Sequence, residues 1–543
     1  MRDLRKSDAL VAVLLSLVIL GPAVLTGGYV LRGDMVFVPD QPWKSAWLGL
    51  DGGVPRAVPM DAIVWIFGQV LPGDIVQKLL LTGSLIVLAL GVARLLRGIG
   101  AVGRAAAMTF ACWNPWVFER LAIGQWATVL GLAALPWLLS AVVECRRGAT
   151  AGWLLLAAVA APSMGLTAVV VAVAVAATQR TSRSDWLLLG AACIATNLPW
   201  IVPSLLRSGL DAPPGQFAGF AATAESGAGT LASVLSLGGI WKISVVPAER
   251  TTGVVVGAAA VLSLVAVAVL HERRRDLAGA NGLLIAAALS FVLAALPLSD
   301  ALGDLARSVP ALGILRDSTR YLAPLVLVVA LGFGLLVHEV VSRARAAVLV
   351  ALLPVALLPS MAWGLHGFLE PTHYPSSWYQ ARAVMQREGA DITVVLPWRG
   401  SYRGFSWTDG HAVLDPAPRF FPGDVLVDDR TFLSDRVIAS EDPYLQRIDS
   451  ALSSNASATA LRALGVRWVL VEPGPRLPTG QLPSGSTAFT SADLTLIDLG
   501  TPASSTRTRP PVGWVIAADF AALLPFFLVC LRKCVTGVTV RSN

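Results

Sequence analysis

The sequence predicts an α-helical polytopic membrane protein of about twelve spanning helices, with one small water-exposed α/β domain near the C-terminus. Three observations carry that expectation. The 543 residues are 55% hydrophobic and only 14% charged, against roughly 25% charged in soluble domains. Apolar runs of the roughly 20 residues needed to cross a bilayer recur along the chain. One long stretch, 366–511, departs from this pattern, with 13 Arg, no Lys and 15 Asp plus Glu.

Eight runs read directly as spanning helices: 9–31, 75–97, 186–205, 251–270, 278–297, 321–338, 346–365 and 512–531. The apolar region 105–143 is interrupted by Trp113-Asn114-Pro115 through Gln125-Trp126, and the region 151–177 by Pro162-Ser163-Met164-Gly165. Short cytoplasmic loops collect Lys and Arg, which puts Arg94/Arg97/Arg104, Arg146/Arg147, Arg180/Arg183, Arg273–Arg275, Arg343/Arg345 and Arg532/Lys533 on one side. Both interrupted regions then enter and leave on that side, as hairpins of two short helices each. Twelve helices result, with both termini cytoplasmic. Such half-helices are shorter than the hydrocarbon core, so their polar apices should sit inside the membrane around an outward-facing polar cavity at 113–126 and 162–165.

The chain divides accordingly into a transmembrane module at 1–365, an extracytoplasmic α/β domain at 366–511, and a final helix with its tail at 512–543. Within the domain, Tyr379–Arg387 and Ala456–Leu464 read as helices, and 392–396, 466–471 and 494–499 as strands. Residues 473–486 read as a surface loop and 501–511 as a linker. The outer loops 32–74 and 206–250 have room for membrane-surface helices, for example at Trp43–Leu50 and Ala62–Leu71. No internal repeat is visible.

The formal charge of +7 is spread too thinly for nucleic acid. The apolar run after Arg2, Arg5 and Lys6 is too long for a signal-peptide core and reads as the first spanning helix. The five cysteines avoid the polar segment, which excludes a disulfide framework. The five histidines show no metal-ligand spacing. No Walker loop, dinucleotide fingerprint or nucleophile elbow occurs.

Four places could carry chemistry. Asp34 and Asp40 follow the outer end of the first helix, where Asp34 is the better base or metal ligand and an interfacial polar marker is the plain alternative. Glu119 and Arg120 lie in a tryptophan-rich apex, at a depth where ionised groups are costly unless paired or functional. Arg316 and Arg320 stand four apart, on one helical face, and could grip a phosphate with paired donors; anchoring the helix end or pairing with Asp317 explains them equally well. Asp519 sits inside the last helix, where a carboxylate needs a cavity, a partner or a proton.

An acid after helix one, Asn114-Pro115-Trp116 leading to Glu119-Arg120, Arg316-Asp317 with Arg320-Tyr321, and the late run Leu464-Gly-Val-Arg-Trp-Val-Leu-Val471 occur in that order. In this the chain resembles the glycosyltransferase C superfamily, and more narrowly the bacterial YfhO-type proteins and actinobacterial arabinofuranosyltransferases, over most of residues 9–475. The resemblance implies an enzyme of the cell membrane that moves a sugar from a polyprenyl-phosphate donor to a cell-envelope glycan or lipid acceptor on the outer face. Asp34 would be the catalytic base or metal ligand, and Arg316, Arg320 and Arg120 the phosphate-binding cations, with Asp40 and Glu119 near the substrate. Asp34 and Asp40 are six apart rather than adjacent, so a divalent metal is left open and no other cofactor is implied. The outer domain would position the acceptor, with Trp378, Trp398, Trp407 and Trp468 as sugar-stacking or core residues. The contrasting reading is a non-catalytic scaffold or a lipid or glycan transporter that uses the same cavity only to bind.

Overall fold

The computed structural model describes residues 5–207, 216–296, 299–308, 310–343, 345–432, 437–454, 457–473 and 482–539. The first apolar helix, α1 (Lys6–Leu25), leads into a long loop that ends in a short helix α2 (Met60–Gly68). Trp65, Ile66 and Phe67 of α2 and Val70 beyond it lie exposed or half-exposed, with Trp43 packed edge-on at 4.8 Å from Trp65; this is the amphipathic character expected at a membrane surface. Then come α3 (Gly73–Leu95), α4 (Ala101–Cys112), α5 (Pro115–Ala122), α6 (Trp126–Val143), α7 (Arg147–Ala160), α8 (Pro162–Ala177), α9 (Arg183–Ala195) and α10 (Leu198–Leu206).

Among the described residues five helices are long and apolar enough to span a bilayer, or seven if each of two bent pairs counts once. Helices α7 and α8, and the helix Ala280–Ala295, are apolar but shorter. The two regions read as hairpins are broken into separate helices at their polar apices. Asn114 caps α5, its Oδ1 accepting from the Val117 N–H, with Pro115 at the first helical position where its missing donor costs nothing. Ala161 is extended and Pro162 starts α8.

Two runs that read as single spans are bent. The run 186–205 turns by 50° between α9 and α10, and the run 346–365 by 78° between 357 and 359. Pro199 and Pro359 begin the second half of each, where a ring without an N–H breaks the ladder. Ion pairs join the basic clusters assigned to one side: Asp8 to Arg104 at 3.1 Å, Arg94 to Glu144 at 2.9 Å, Arg147 to Asp185 at 2.8 Å and Arg273 to Glu339 at 2.7 Å.

At the other end lies the sheet-bearing segment. Strand β1 (Tyr29–Val30), just after α1, pairs antiparallel with β2 (Pro371–Thr372). Next follow β3 (Ile392–Leu396), the hairpin β4 (Tyr402–Gly404) and β5 (Ala412–Leu414), β6 (Val425–Leu426), the pair β7 (Thr431–Phe432) and β8 (Val437–Ile438), β9 (Val466–Val471), β10 (Ser486–Thr490) and β11 (Thr495–Asp498). The main sheet has the order β10-β11-β9-β3-β6, parallel at β9-β3-β6 and antiparallel elsewhere. Helices Ser376–Glu388, Pro443–Leu452 and Ser457–Ala463 accompany it. The surface loop expected at 473–486 lies mostly outside the described residues, as do the termini at 1–4 and 540–543.

The sheet does not float free of the helices. Trp378, Phe405, Phe420 and Trp468 belong to the same continuous apolar core as α1, α3 and α4, with Tyr374 and Trp378 at the centre of an aromatic cluster. Trp378 and Trp468 are fully buried, so their role is packing, and neither can stack on a sugar. Trp398 and Trp407 are half-buried.

Candidate functional site

The candidate site forms where the loop after α1, the α5–α6 apex and the β4–β5 hairpin meet. Residues Arg32 to Met35 make a tight turn, Met35 N donating to Arg32 O at 2.9 Å. Gly33 is left-handed at φ +52° and its N–H and C=O both join β5, donating to Ala412 O at 3.0 Å and accepting from Leu414 N at 2.7 Å. Asp34 N donates to Ile123 O at 2.8 Å. Glycine is required on both sides of this contact: a Cβ on Gly33 would lie 1.9 Å from Ile123 O, and one on Gly124, at φ +87°, would lie 2.2 Å from Arg32 O.

The turn presents the Asp34 carboxylate half-exposed at the mouth. Its Oδ1 accepts a short hydrogen bond from the Tyr402 hydroxyl and its Oδ2 one from Gln125 Nε2 at 3.3 Å. Gln125 Oε1 in turn accepts from Arg120 Nη1 at 2.7 Å. Arg120 is fully buried, and its guanidinium also meets Asp317 Oδ2 at 3.1 Å and Thr319 Oγ1 at 2.7 Å. Arg320 Nε lies 2.8 Å from the same Asp317 oxygen, with about a third of its side chain open to solvent.

Cations surround the mouth. Lys242 stands 5.4 Å from the Tyr402 ring centroid; burial pushes its amine below the ordinary lysine range, against the pull of Asp34 and with the help of Arg32. Arg320 and Arg56 also feel the Asp34 charge, Arg56 being half-exposed and 3.7 Å from Asp429. Burial and the Asp34 charge hold the Tyr402 phenol well above its usual range, so it stays a donor. A carboxylate within electrostatic reach of Lys242, Arg320 and Arg56, the last two shared with Asp317 and Asp429, suits a substrate that carries an anion.

The other sequence candidates separate from Asp34. Asp40 binds Arg382 through its side chain and its carbonyl, both at 2.7 Å. Glu119 does not pair with Arg120 across the helix; it is buried against Glu225, which accepts from Arg250 Nε and Gly239 N, both at 2.7 Å. Arg316 donates to Glu441 Oε1 at 2.6 Å and covers the Phe220 ring at 5.0 Å. Arg316 and Arg320 are thus held by different acids. A crevice beside the first apex is lined by Trp113, Asn114, Pro115, Ser236, Arg250 and Leu358, whereas the second apex is packed shut, with Ser163 and Met164 buried and Gly165 against Asn197. The expected cavity shared by the two apices is therefore not what forms.

Among the described residues no three His, Cys, Asp or Glu side chains are placed to share a metal ion. The groups around Asp34 are a phenol, an amide and three cations, which do not fit a divalent ion that wants several oxygen ligands of negative charge. Sequence reasoning missed Tyr402 and Lys242, since neither lies in a recognisable motif and both come from distant parts of the chain.

No family model matches the chain, and no curated protein matches it in sequence. Solved structures do. The cryo-EM structure of arabinofuranosyltransferase AftD from Mycobacteria superposes with a TM-score of 0.58 at 17% identity, over 91% of this chain and 39% of that one. A point mutant of AftD, in two classes, gives 0.53 at 16% and 15% identity, over 92% of this chain and 41% of that one. The chain thus spans about two fifths of the length of those proteins and shares their fold, the one that the order of its motifs resembles.

Proposed function

We propose that the chain is a membrane glycosyltransferase of the C-superfamily type, taking a sugar from a polyprenyl-phosphate donor and passing it to a cell-envelope glycan or lipid at the outer face. The observation that carries this reading is the Asp34 mouth: an oriented carboxylate, ringed by Lys242, Arg320 and Arg56, within a fold shared with an arabinofuranosyltransferase. In this reading Asp34 takes the proton of the acceptor hydroxyl as its oxygen bonds the anomeric carbon. The bond from that carbon to the phosphate oxygen breaks, and the polyprenyl phosphate leaves with the electron pair, facing Arg320, Lys242 and Arg56. Electrostatic stabilisation of that leaving group is the main catalytic contribution. Tyr402 and Gln125 hold the carboxylate in line.

The same reading keeps twelve spans, both termini on the cytoplasmic side, and the division into 1–365, 366–511 and 512–543, the middle unit being extracytoplasmic. Parity of the basic clusters supports it. The test is a transfer assay with purified protein, labelled polyprenyl-phosphate sugars and envelope acceptors. Asp34→Asn should lower turnover by about 100-fold or more while binding of polyprenyl phosphate persists. The binding-only reading draws support from the fact that both Asp34 oxygens already hold donors; an Asp34→Asn variant with unchanged function would establish it and end the transferase reading.

A further inference from the structure

Behind Tyr402 lies a buried polar cluster that the proposed chemistry does not use. Alternation along β4 puts Tyr402 toward Asp34 and the next residue, Arg403, inward. The Arg403 guanidinium donates to Gly400 O at 2.7 Å and Pro397 O at 2.6 Å, gripping the loop that leaves β3. Its Nε lies 3.4 Å from Glu472 Oε2 and 3.6 Å from Asp415 Oδ2. Glu472 follows β9, its N–H donating to Leu396 O at 2.8 Å; Asp415 follows β5, its N–H donating to Ser401 O at 2.7 Å. Both acids are almost fully buried, and Glu472 Oε1 and Oε2 and Asp415 Oδ2 accept no hydrogen bond among the described residues.

One guanidinium can balance one of these carboxylates, and a second bare carboxylate beside the first is too costly at this depth. Burial, and for Glu472 the neighbouring Asp415, accordingly pushes both acids above their usual range. Among the described residues Arg403 is the one cation facing the pair; the adjacent Asp428 is engaged separately, by Gly400 N at 2.7 Å and by Arg430.

We infer that Asp415 and Glu472 share one proton, and that Arg403, balanced in this way, is a positioning residue that fixes Tyr402 against Asp34. The meaning for catalysis rests on the transferase reading; the geometry does not. Acids that keep a proton in the folded chain beyond the pH at which the unfolded chain has lost it contribute stability that declines as pH rises through the folded values. Loss of the shared proton leaves two carboxylates on one guanidinium, and their repulsion opens the loop 397–403 and with it the Tyr402 contact. Glutamine at 472 presents an amide where the protonated acid stood and does not titrate.

The experiment is hydrogen–deuterium exchange on the full chain in lipid nanodiscs from pH 6 to 9.5, corrected for intrinsic exchange and read over peptides covering 398–414. Wild type should lose about tenfold in protection toward the alkaline end, one factor of ten for each ~1.4 kcal/mol of local opening. Glu472→Gln should stay protected throughout, Arg403→Met should be unprotected at every pH, and Arg403→Lys should recover part of the protection. Parallel wild-type and Glu472→Gln profiles would overturn the inference, even if Arg403→Met fails to fold. Binding of polyprenyl phosphate measured in the same nanodiscs separates the two ideas: the expected exchange profile without binding at any pH leaves the positioning role standing and removes the transferase reading.

Discussion

Replacing Lys44 by methionine should stabilise the protein, and more at low pH than at high. Lys44 sits in the loop between α1 and α2, 7% exposed, and its Nζ has no hydrogen-bond partner among the described residues. Burial pushes its pKa from 10.5 down to about 7, with Asp424 opposing the shift and Arg419 and Arg382 adding to it. The unfolded chain therefore binds a proton that the folded chain resists between those values. The displacement, 10.5 − 7 = 3.5, corresponds to about 5 kcal/mol at 1.36 kcal/mol per unit when the folded amine is charged. At pH 7, where half the folded population is already neutral, about 4 kcal/mol remains, and at pH 9 about 2 kcal/mol. Methionine is close in length and leaves no amine to desolvate. Thermal unfolding of detergent-solubilised wild type and Lys44→Met at pH 6, 7 and 9 reads this directly. The variant should melt higher at all three, with the gap narrowing as pH rises. An equal gap at every pH, or a variant that melts lower, would refute the claim that a desolvated amine is the cause.

Arg120→Met should cost about 3–5 kcal/mol, because it strips one of two cations from buried Asp317; Asp317→Asn in the same background should restore part of that loss in the same melting assay. Gly124→Ala should leave the helices folded but undock the Asp34 turn, since its Cβ would meet Arg32 O and Asp34 N; circular dichroism should be unchanged while residues 30–36 lose exchange protection by tenfold or more, about 1.4 kcal/mol. In a cysteine-free background, a membrane-impermeant maleimide should label Ser453→Cys on intact cells and reach Gln179→Cys only after lysis. Labelling of Gln179→Cys from outside would overturn the parity of the basic clusters.

Asp34 could be picked out from the sequence because an acid just past an apolar helix stands out locally. Its partners could not, because Tyr402 is 368 residues away in sequence and is placed by strand pairing, which leaves no trace in spacing. The Arg316 and Arg320 pattern was visible as a pair on one helical face, yet the segment 318–322 is a tighter 3₁₀ turn and different acids draw the two apart: distant Glu441 takes Arg316, and Asp317, three residues away and legible in the sequence as a partner, takes Arg320. Glu119 and Arg120 are neighbours in sequence but not partners, since adjacent helical residues face different ways. The strands at 392–396 and 466–471 declared themselves as short β-branched runs. The breaks near 197 and 358 did not, because hydropathy averages over a proline that a helix cannot.

The pairing of β1 with β2 and of Gly33 with β5 sets a schedule for biosynthesis. The ribosome delivers residues 29–34 early, but their partners at 371–372 and 412–414 emerge some 340 to 380 residues later, so the Asp34 turn waits unformed through the insertion of nearly every helix. Contacts closed over so long a loop form late. A nascent or truncated chain is thereby a bundle without a mouth, unable to present the Asp34 carboxylate before the sheet-bearing segment is in place.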